Sequence, residues 1–290
     1  MANSIQLSKV YTNLLDEVYQ QSALTAVLES DASLARQGAN ANEIVIPKLA
    51  MDGLADYSRN SGYVNGDVTL NWETVQFNYE RGRMFSVDNM DNEETQNIAF
   101  GRLAGEFIRT KVVPELDAFR FAKYASVVGA GTATGALATG ADVIAALRTA
   151  TSAMDEAEVP MEDRHLFITP TLLGLVEDMD TTKSKEVLAR FASITKVPQT
   201  RFYSAIELLD GKSPSEEKGG YKKAEGAADL NFEIIHKPAT LQFTKHAVPK
   251  VISPELNQDA DAWKYGYRNY GLCDTYENKA AGIYVHKKSV

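Results

Sequence analysis

The stretch Val68-Thr69-Leu70-Asn71-Trp72-Glu73-Thr74-Val75-Gln76-Phe77-Asn78-Tyr79 decides the fold. Val68, Leu70 and Trp72 alternate with Thr69, Asn71 and Glu73, the pattern of a strand with one apolar face. Upstream, Glu43-Ile44-Val45-Ile46-Pro47-Lys48 has the same chemistry, and between the two runs lies Met51-Asp52-Gly53 through Asn65-Gly66-Asp67, dense in turn-forming Gly, Asn and Asp. Hairpin loops ordinarily have about two to five residues. A spacer this long predicts a hairpin that projects from the body and has a partner for its tip.

Downstream of that hairpin, Asp91-Asn92-Glu93-Glu94 reads as a capping box with an acidic first turn. Ile98, Leu103, Phe107, Val112, Leu116, Phe119 and Tyr124 continue at helical spacing, and Pro114 predicts a kink, because its ring removes one hydrogen bond and crowds the preceding turn. On the other side, Leu7, Val10, Leu14, Leu15, Val18, Leu24, Val27 and Leu28 recur at threes and fours, which predicts an amphipathic helix, or two short ones, capped at Ser4. The polar stretch Arg36 to Asn42 separates this helix from everything after it, so it reads as an arm that packs on something else.

The run of small residues from Gly129 to Gly140 reads as a linker, followed by a helix from Asp142 to Ala157, a strand at Leu166-Phe167-Ile168 and a helix opening at Thr169-Pro170. Asp210 to Gly220 reads as a mobile polar loop. Strand chemistry returns in Phe232-Glu233-Ile234-Ile235, Leu241-Gln242-Phe243, Trp263-Lys264-Tyr265-Gly266-Tyr267 and Gly282-Ile283-Tyr284-Val285.

Composition excludes several functional classes. A formal charge of -9, from 30 Lys plus Arg against 39 Asp plus Glu, disfavours a protein that reads nucleic acid through phosphate contacts. With 44% hydrophobic residues the chain can bury a core. Cys273 is the single cysteine, so no intramolecular disulfide forms, and no metal-ligand spacing surrounds it. The start of the sequence has no signal-peptide pattern and no segment approaches about 18 uninterrupted apolar residues, so no membrane span is expected and the chain is expected to fold in the cytoplasm.

A search for catalytic chemistry returns bland readings. Gly129, Gly131 and Gly135 miss the dinucleotide-binding spacing and read as linker. His165, His236, His246 and His286 form no ligand cluster and read as ordinary histidines, and there is no G-x-S-x-G elbow. Glu73, Glu80, Asp88 and Asp91 read as solvated strand faces and a helix cap, with nothing to set them as an acid and base pair. Trp263 to Tyr270 interleaves aromatics with bases, and its period of two favours a buried sheet face over a stacking platform for single strands. Arg81-Gly82-Arg83 is the one concentrated basic feature near the hairpin base, placed to pair with a carboxylate on a neighbouring subunit or, nearly as readily, to form an ordinary surface pair. No cofactor, metal or catalytic residue is expected.

The order of these elements, together with Tyr79 to Asp91, Gly101 to Asp117, Val197 to Tyr203, Ser253 to Trp263 and the ending from Glu277 to His286, resembles the major capsid proteins of tailed bacteriophages, the Hong Kong 97 fold family. The resemblance covers essentially the whole chain. It implies an α+β fold with residues 1-38 as N-terminal arm, 39-89 as extended loop, 90-128 as peripheral domain with its spine helix, 129-240 as axial domain and 241-290 returning to the peripheral domain. It implies a structural protein, not an enzyme, whose partners are its own copies in pentamers and hexamers of an icosahedral head shell assembled in the host cytoplasm. Scaffolding, portal and decoration proteins are the further partners it implies, and DNA is enclosed without sequence-specific binding. Leu14, Val18, Tyr57, Tyr63, Trp72, Phe77, Arg81 and Arg83 are the residues expected to contact neighbouring subunits. Relatives with a cleavable leader start further upstream, so this start suggests a separate scaffolding protein or none, and no motif assigns a Lys to Asn crosslink. Two other readings remain open: an encapsulin-like nanocompartment that encloses protein cargo, and a soluble α/β enzyme acting through carboxylates.

Overall fold

The structure, a computed structural model, describes residues 23–30, 36–37, 43–60, 62–94, 98–179 and 181–289. Its centre is a five-stranded sheet in the order β5-β13-β10-β6-β7, built from Gly131–Thr134, Ile283–Lys287, Leu230–His236, Arg164–Ile168 and Ser193–Lys196. β10 runs antiparallel to both β13 and β6, while β5 and β7 add in parallel at the two ends.

Alternation along these strands feeds two cores. Leu166, Ile168, Phe232, Ile234 and Tyr284 meet Val143, Leu147 and Met154 of α4 (Gly140–Glu156), Leu172 and Val176 of α5 (Pro170–Glu177) and Val187 of α6 (Thr182–Leu188). Phe167, Ile235, Ile283 and Val285 point the other way, onto Phe119, Phe121 and Tyr124 of α3 (Val113–Ala125). A sheet covered by helices on both faces leaves little apolar surface unpaired.

The helical run that feeds α3 begins earlier than expected. α1 spans Asn89–Glu94, and Asp88 Oδ1 accepts from the Met90 N–H at 2.9 Å, so Asp88, not Asp91, sits at the helix start. α2 spans Ile98–Phe107 and passes into α3 through a π-helical turn at Ile108–Val112. That wide turn lies directly before Pro114, which lacks an N–H and sits in the first turn of α3, where none is needed.

Two further sheets carry the projecting parts. β1 (Arg36–Gln37), β2 (Glu43–Met51) and β3 (Val68–Gln76) form one antiparallel sheet, with Ile44 opposite Val75 and Met51 opposite Val68. β4 (Tyr79–Asp88), β11 (Thr240–Ile252) and β12 (Ala262–Thr275) form the other, in the order β11-β12-β4. The two sheets meet through a third core in which Ile44, Ile46, Val75 and Phe77 pack with Leu241, Phe243 and Leu272. A short ribbon of β8 (Ile206–Leu208) and β9 (Tyr221–Lys223) completes the body.

Several expectations need correction. The small residues after Gly129 are not only a linker: Gly131 opens β5 because a Cβ there would lie 2.4 Å from the Tyr284 ring, so only glycine lets that edge strand pack. β11 and β12 run far beyond the short segments read from sequence, and Pro249 is tolerated because it lies on β11, an edge strand of its sheet. Within residues 241-290, β13 joins the five-stranded sheet while β11 and β12 pair with β4. The loop expected to be mobile contains a built turn in which the Lys212 and Ser213 N–H groups donate to Asp210 Oδ1 at 2.7 and 2.8 Å. The expected arm helix, with Leu14 and Val18, falls mostly outside the described residues. Its last part, Leu24–Leu28, is a 3-10 turn.

Candidate subunit-contact surfaces

That turn owes its conformation to the polar groups around it. Asp117, fully buried on α3, accepts from the Leu24 and Thr25 N–H groups at 3.0 and 3.2 Å, from the Thr25 hydroxyl at 2.8 Å and from Arg201 at 3.1 Å. Arg120 donates to Thr25 Oγ1 at 3.0 Å, Gln242 donates to the Thr25 carbonyl at 2.8 Å, and Tyr124 holds Gln242 from behind at 3.0 Å. Thr240 closes the cradle on the Leu28 carbonyl at 3.1 Å. The chain therefore enters the body through a fixed point, with its backbone groups bound by side chains far away in sequence. Asp117, Arg201 and Gln242 carry no spacing signal that marks them in advance.

The expected basic pair forms a second anchor. Arg81 Nε donates to Glu115 Oε1 at 2.7 Å, and its Nη2 donates to the carbonyls of Leu209 at 2.8 Å and Gly220 at 3.2 Å. Arg83 donates to the carbonyls of Lys218 at 3.2 Å and Glu217 at 3.0 Å. Both guanidiniums reach the loop that joins β8 to β9, which keeps Gly211 and Gly219 in the left-handed region so that Arg83 can approach their backbone closely. Arg81 and Arg83 thus have carbonyl and carboxylate partners within their own chain. Tyr79 donates to the same Glu115, and burial, reinforced by that carboxylate, holds its hydroxyl far above the usual phenol range.

The hairpin presents the opposite picture. Ile44, Ile46, Val75 and Phe77 face the body, and Phe77 stacks on Tyr270 at 4.8 Å with Lys245 above both rings. Strand alternation puts Val68, Leu70 and Trp72 on the other face of β3, all three exposed, with Met51 directly across from Val68. At the tip, Leu54, Tyr57, Tyr63 and Val64 are exposed, and Tyr57 and Tyr63 meet edge to face at 4.9 Å. The tip is itself folded, with Ser58 and Gly62 exchanging backbone hydrogen bonds at 3.2 and 2.8 Å. Of the expected contact residues, Tyr57, Tyr63 and Trp72 are exposed, whereas Phe77, Arg81 and Arg83 are engaged within the chain.

The remaining chemistry is structural in its surroundings. Among the described residues no three His, Cys, Asp or Glu side chains group as metal ligands, and no helix is long and apolar enough to cross a membrane. Burial pushes the Cys273 thiol up to about 12. His165 pairs with Ser193 at 2.7 Å, and His286 stacks on Phe232 while meeting Asn231 at 3.0 Å. Tyr265 is buried, and Phe107 of α2 packs on Phe85 and Tyr267, the aromatic sheet face read from the sequence. Glu80 pairs with Arg268 across the β4–β12 sheet.

The sequence matches no family model and no curated protein. The structure, in contrast, aligns along nearly its whole length with solved shells. It superposes on the asymmetric unit of the bacteriophage PhiM1 mature capsid with a TM-score of 0.64 at 12% identity, covering 98% of this chain and 92% of that one. The capsid structure of the Cyanophage P-SCSP1u gives 0.61 at 11% identity, with 97% and 93% covered. A virus-like particle from Pyrococcus furiosus gives 0.53 at 11%, with 91% and 96% covered. The chain has the α+β Hong Kong 97-type capsid fold that the sequence resemblance implied.

Proposed function

We propose that this chain is the major capsid protein of a tailed bacteriophage, building by self-assembly the icosahedral head shell that encloses double-stranded DNA. The observation that carries the proposal is the apolar stripe of Met51, Val68, Leu70 and Trp72, which lies on the hairpin face opposite the chain's own core. An exposed apolar patch of this kind marks an interaction surface. When it lies on an extension and its receptor lies elsewhere on the subunit, the contact is heterologous and closes into rings. The full-length likeness to capsid chains supports the same reading.

In this assignment residues 1-38 are the arm, 39-89 the extended loop, 90-128 the peripheral domain and 129-240 the axial domain, with β13 completing the axial sheet and β11 and β12 returning to the peripheral domain. The role is structural, and the protein resides in the virion. A net charge of -9 keeps packaged DNA from adhering to the wall.

The test is electron microscopy and sedimentation of the purified chain beside a variant with residues 52 to 66 shortened. Closed shells from the parent and folded, unassembled subunits from the variant are expected. A compact, stable monomer from the parent, or normal shells from the variant, overturns the proposal. Shells filled with a co-purifying protein would identify a nanocompartment instead.

A further inference from the structure

Asp52–Gly53, Asn65–Gly66 and Asp210–Gly211 each put an aspartate or asparagine directly before a glycine. In this arrangement the following backbone nitrogen can attack the side-chain carbonyl carbon, because glycine has no Cβ to shield it. The structure restrains two of the three. Asp52 Oδ2 is held by the Asp67 N–H at 2.9 Å. At Asp210 the Ser213 hydroxyl and the Lys212 and Ser213 N–H groups bind the carboxyl and hold it at about 2, so it stays an ionised, poorly electrophilic carboxylate. Asn65 has no such restraint. Asn65 and Gly66 are exposed, lie beyond the β2–β3 ladder, which ends at Met51 and Val68, and make no hydrogen bond among the described residues. We propose that Asn65–Gly66 is a site of spontaneous covalent modification, at which the glycine nitrogen displaces ammonia from the asparagine side chain and water leaves aspartate and isoaspartate in the hairpin.

The step needs only the chain and water. The Gly66 nitrogen gives up its proton to solvent base and bonds to Asn65 Cγ, and the bond from Cγ to the amide nitrogen breaks as that nitrogen takes a proton and leaves as ammonia. Nucleophile and electrophile belong to neighbouring residues, so the attack has the advantage of an intramolecular reaction. Water then opens the cyclic imide at either carbonyl, giving aspartate or the β-linked isoaspartate, with no oxidation or reduction. Packing does not call for glycine at 66: a Cβ there would meet Asp52 Cβ at 3.6 Å, an ordinary contact, and the residue is not in the left-handed region. The consequence falls on the clamp beside the site, in which the Asp52 N–H donates to the Asp67 carbonyl at 3.2 Å and the Asp67 N–H returns to Asp52 Oδ2. Isoaspartate adds a methylene to the backbone one residue before Asp67, and either product sets another negative charge near Asp52 and Asp67. The outer end of the hairpin loosens.

Incubating the purified chain at mildly alkaline pH and mapping its peptides by mass spectrometry tests the site. The tryptic peptide of residues 60 to 81 carries Asn60, Asn65 and Asn71 together, and Asn71 is held opposite Lys48 in the ladder. Fragmentation is expected to place the mass gain of amide to acid at residue 65, severalfold faster than at Asn60 or Asn71, and an isoaspartyl methyltransferase is expected to methylate the product. Gly66→Ala, folded by circular dichroism, should lose the fast conversion. Asn65→Gln, whose longer side chain disfavours the ring closure, takes its place if Gly66→Ala does not fold. Aged parent should be cut by protease within residues 52 to 66 faster than fresh parent, and the aged variant should not. Conversion at Asn65 no faster than at Asn60 and Asn71, or fast conversion that persists in the folded variant, overturns the proposal. Conversion without faster cutting overturns the loosening of the hairpin.

Discussion

The five-stranded sheet and the β2–β3 hairpin are built from the same residue types and meet opposite fates. In the sheet, Phe232 and Ile234 turn to α4, α5 and α6 while Ile235 and Val285 turn to α3, so both faces are covered by the same chain. In the hairpin Ile44, Ile46, Val75 and Phe77 find cover, while Met51, Val68, Leu70 and Trp72 on the other face stay exposed. Period-two alternation reports which residues share a face. It carries no information about whether the cover comes from the same molecule. Stability should therefore reside in the sheet, and assembly in the hairpin.

The comparison is broken most directly at the sheet. Phe232→Ala removes a fully buried ring from between β13 and β6 and is expected to lower stability by about 3–5 kcal/mol, read as a lower urea midpoint of the unassembled subunit. A change under about 1 kcal/mol would mean that the sheet is not where the subunit's stability lies. Next comes the fixed point at which the arm enters. Arg201→Ala leaves Asp117 buried without its ion-pair partner, a loss of about 3 kcal/mol, and should also expose the backbone around Leu24 to proteolysis. Unchanged cleavage there would mean that Asp117 holds the 24–28 turn without help.

The sequence made the strands and the long helix legible because each has a periodic apolar face: Val68, Leu70 and Trp72 mark β3 as plainly as Leu116 and Phe119 mark α3. It also exposed the length of the hairpin through its Gly, Asn and Asp content. Contacts between residues far apart carry no local signature. Arg81 reads as a base for a neighbour's carboxylate or for an ordinary surface pair until Glu115 and the carbonyls of Leu209 and Gly220 are folded against it. Gly131 reads as linker because a strand's edge position, where it lies, is a property of the sheet. The tip residues Tyr57 and Tyr63 were within reach of sequence because exposure is what a long polar spacer implies.

A smaller effect sharpens the account of the sheet. Glu233 lies in the middle of β10 with neither carboxylate oxygen bonded among the described residues, on the same strand face as Ile235. Burial pushes its carboxyl well above the usual range, and the Lys287 charge only partly offsets this. A raised folded-state pKa means that the stability associated with the protonated form is complete below the unfolded value of 4.5 and declines as pH rises toward the folded value. Glu233→Leu should therefore stabilise the subunit by about 1–3 kcal/mol at neutral pH and remove that decline. The buried histidines act at the other end. Burial lowers His165, His236 and His286, so their contribution is present above 6.5 and is lost as pH falls below it. Unfolding midpoints followed from pH 5 to 9 in parent and variant separate the two limbs, and an unaltered alkaline limb in Glu233→Leu would remove Glu233 from the explanation.

The smallest expected change in stability belongs to the hairpin, and it is the most telling. Leu70→Ser and Trp72→Ser replace exposed side chains, and surface substitutions of this kind usually move stability by no more than about 0.5 kcal/mol. Inside one subunit they should be nearly silent in urea unfolding. In the proposed shell they would delete apolar area from a contact repeated in every copy, so a small loss per contact would multiply around each ring, and closed particles should give way to free subunits. A subunit that unfolds as readily as the Phe232→Ala variant would mean that the hairpin's outer face is covered by its own chain. Normal shells from both serine variants would mean that the stripe faces solvent in the assembly, and the contact would then have to be sought at the tip alone.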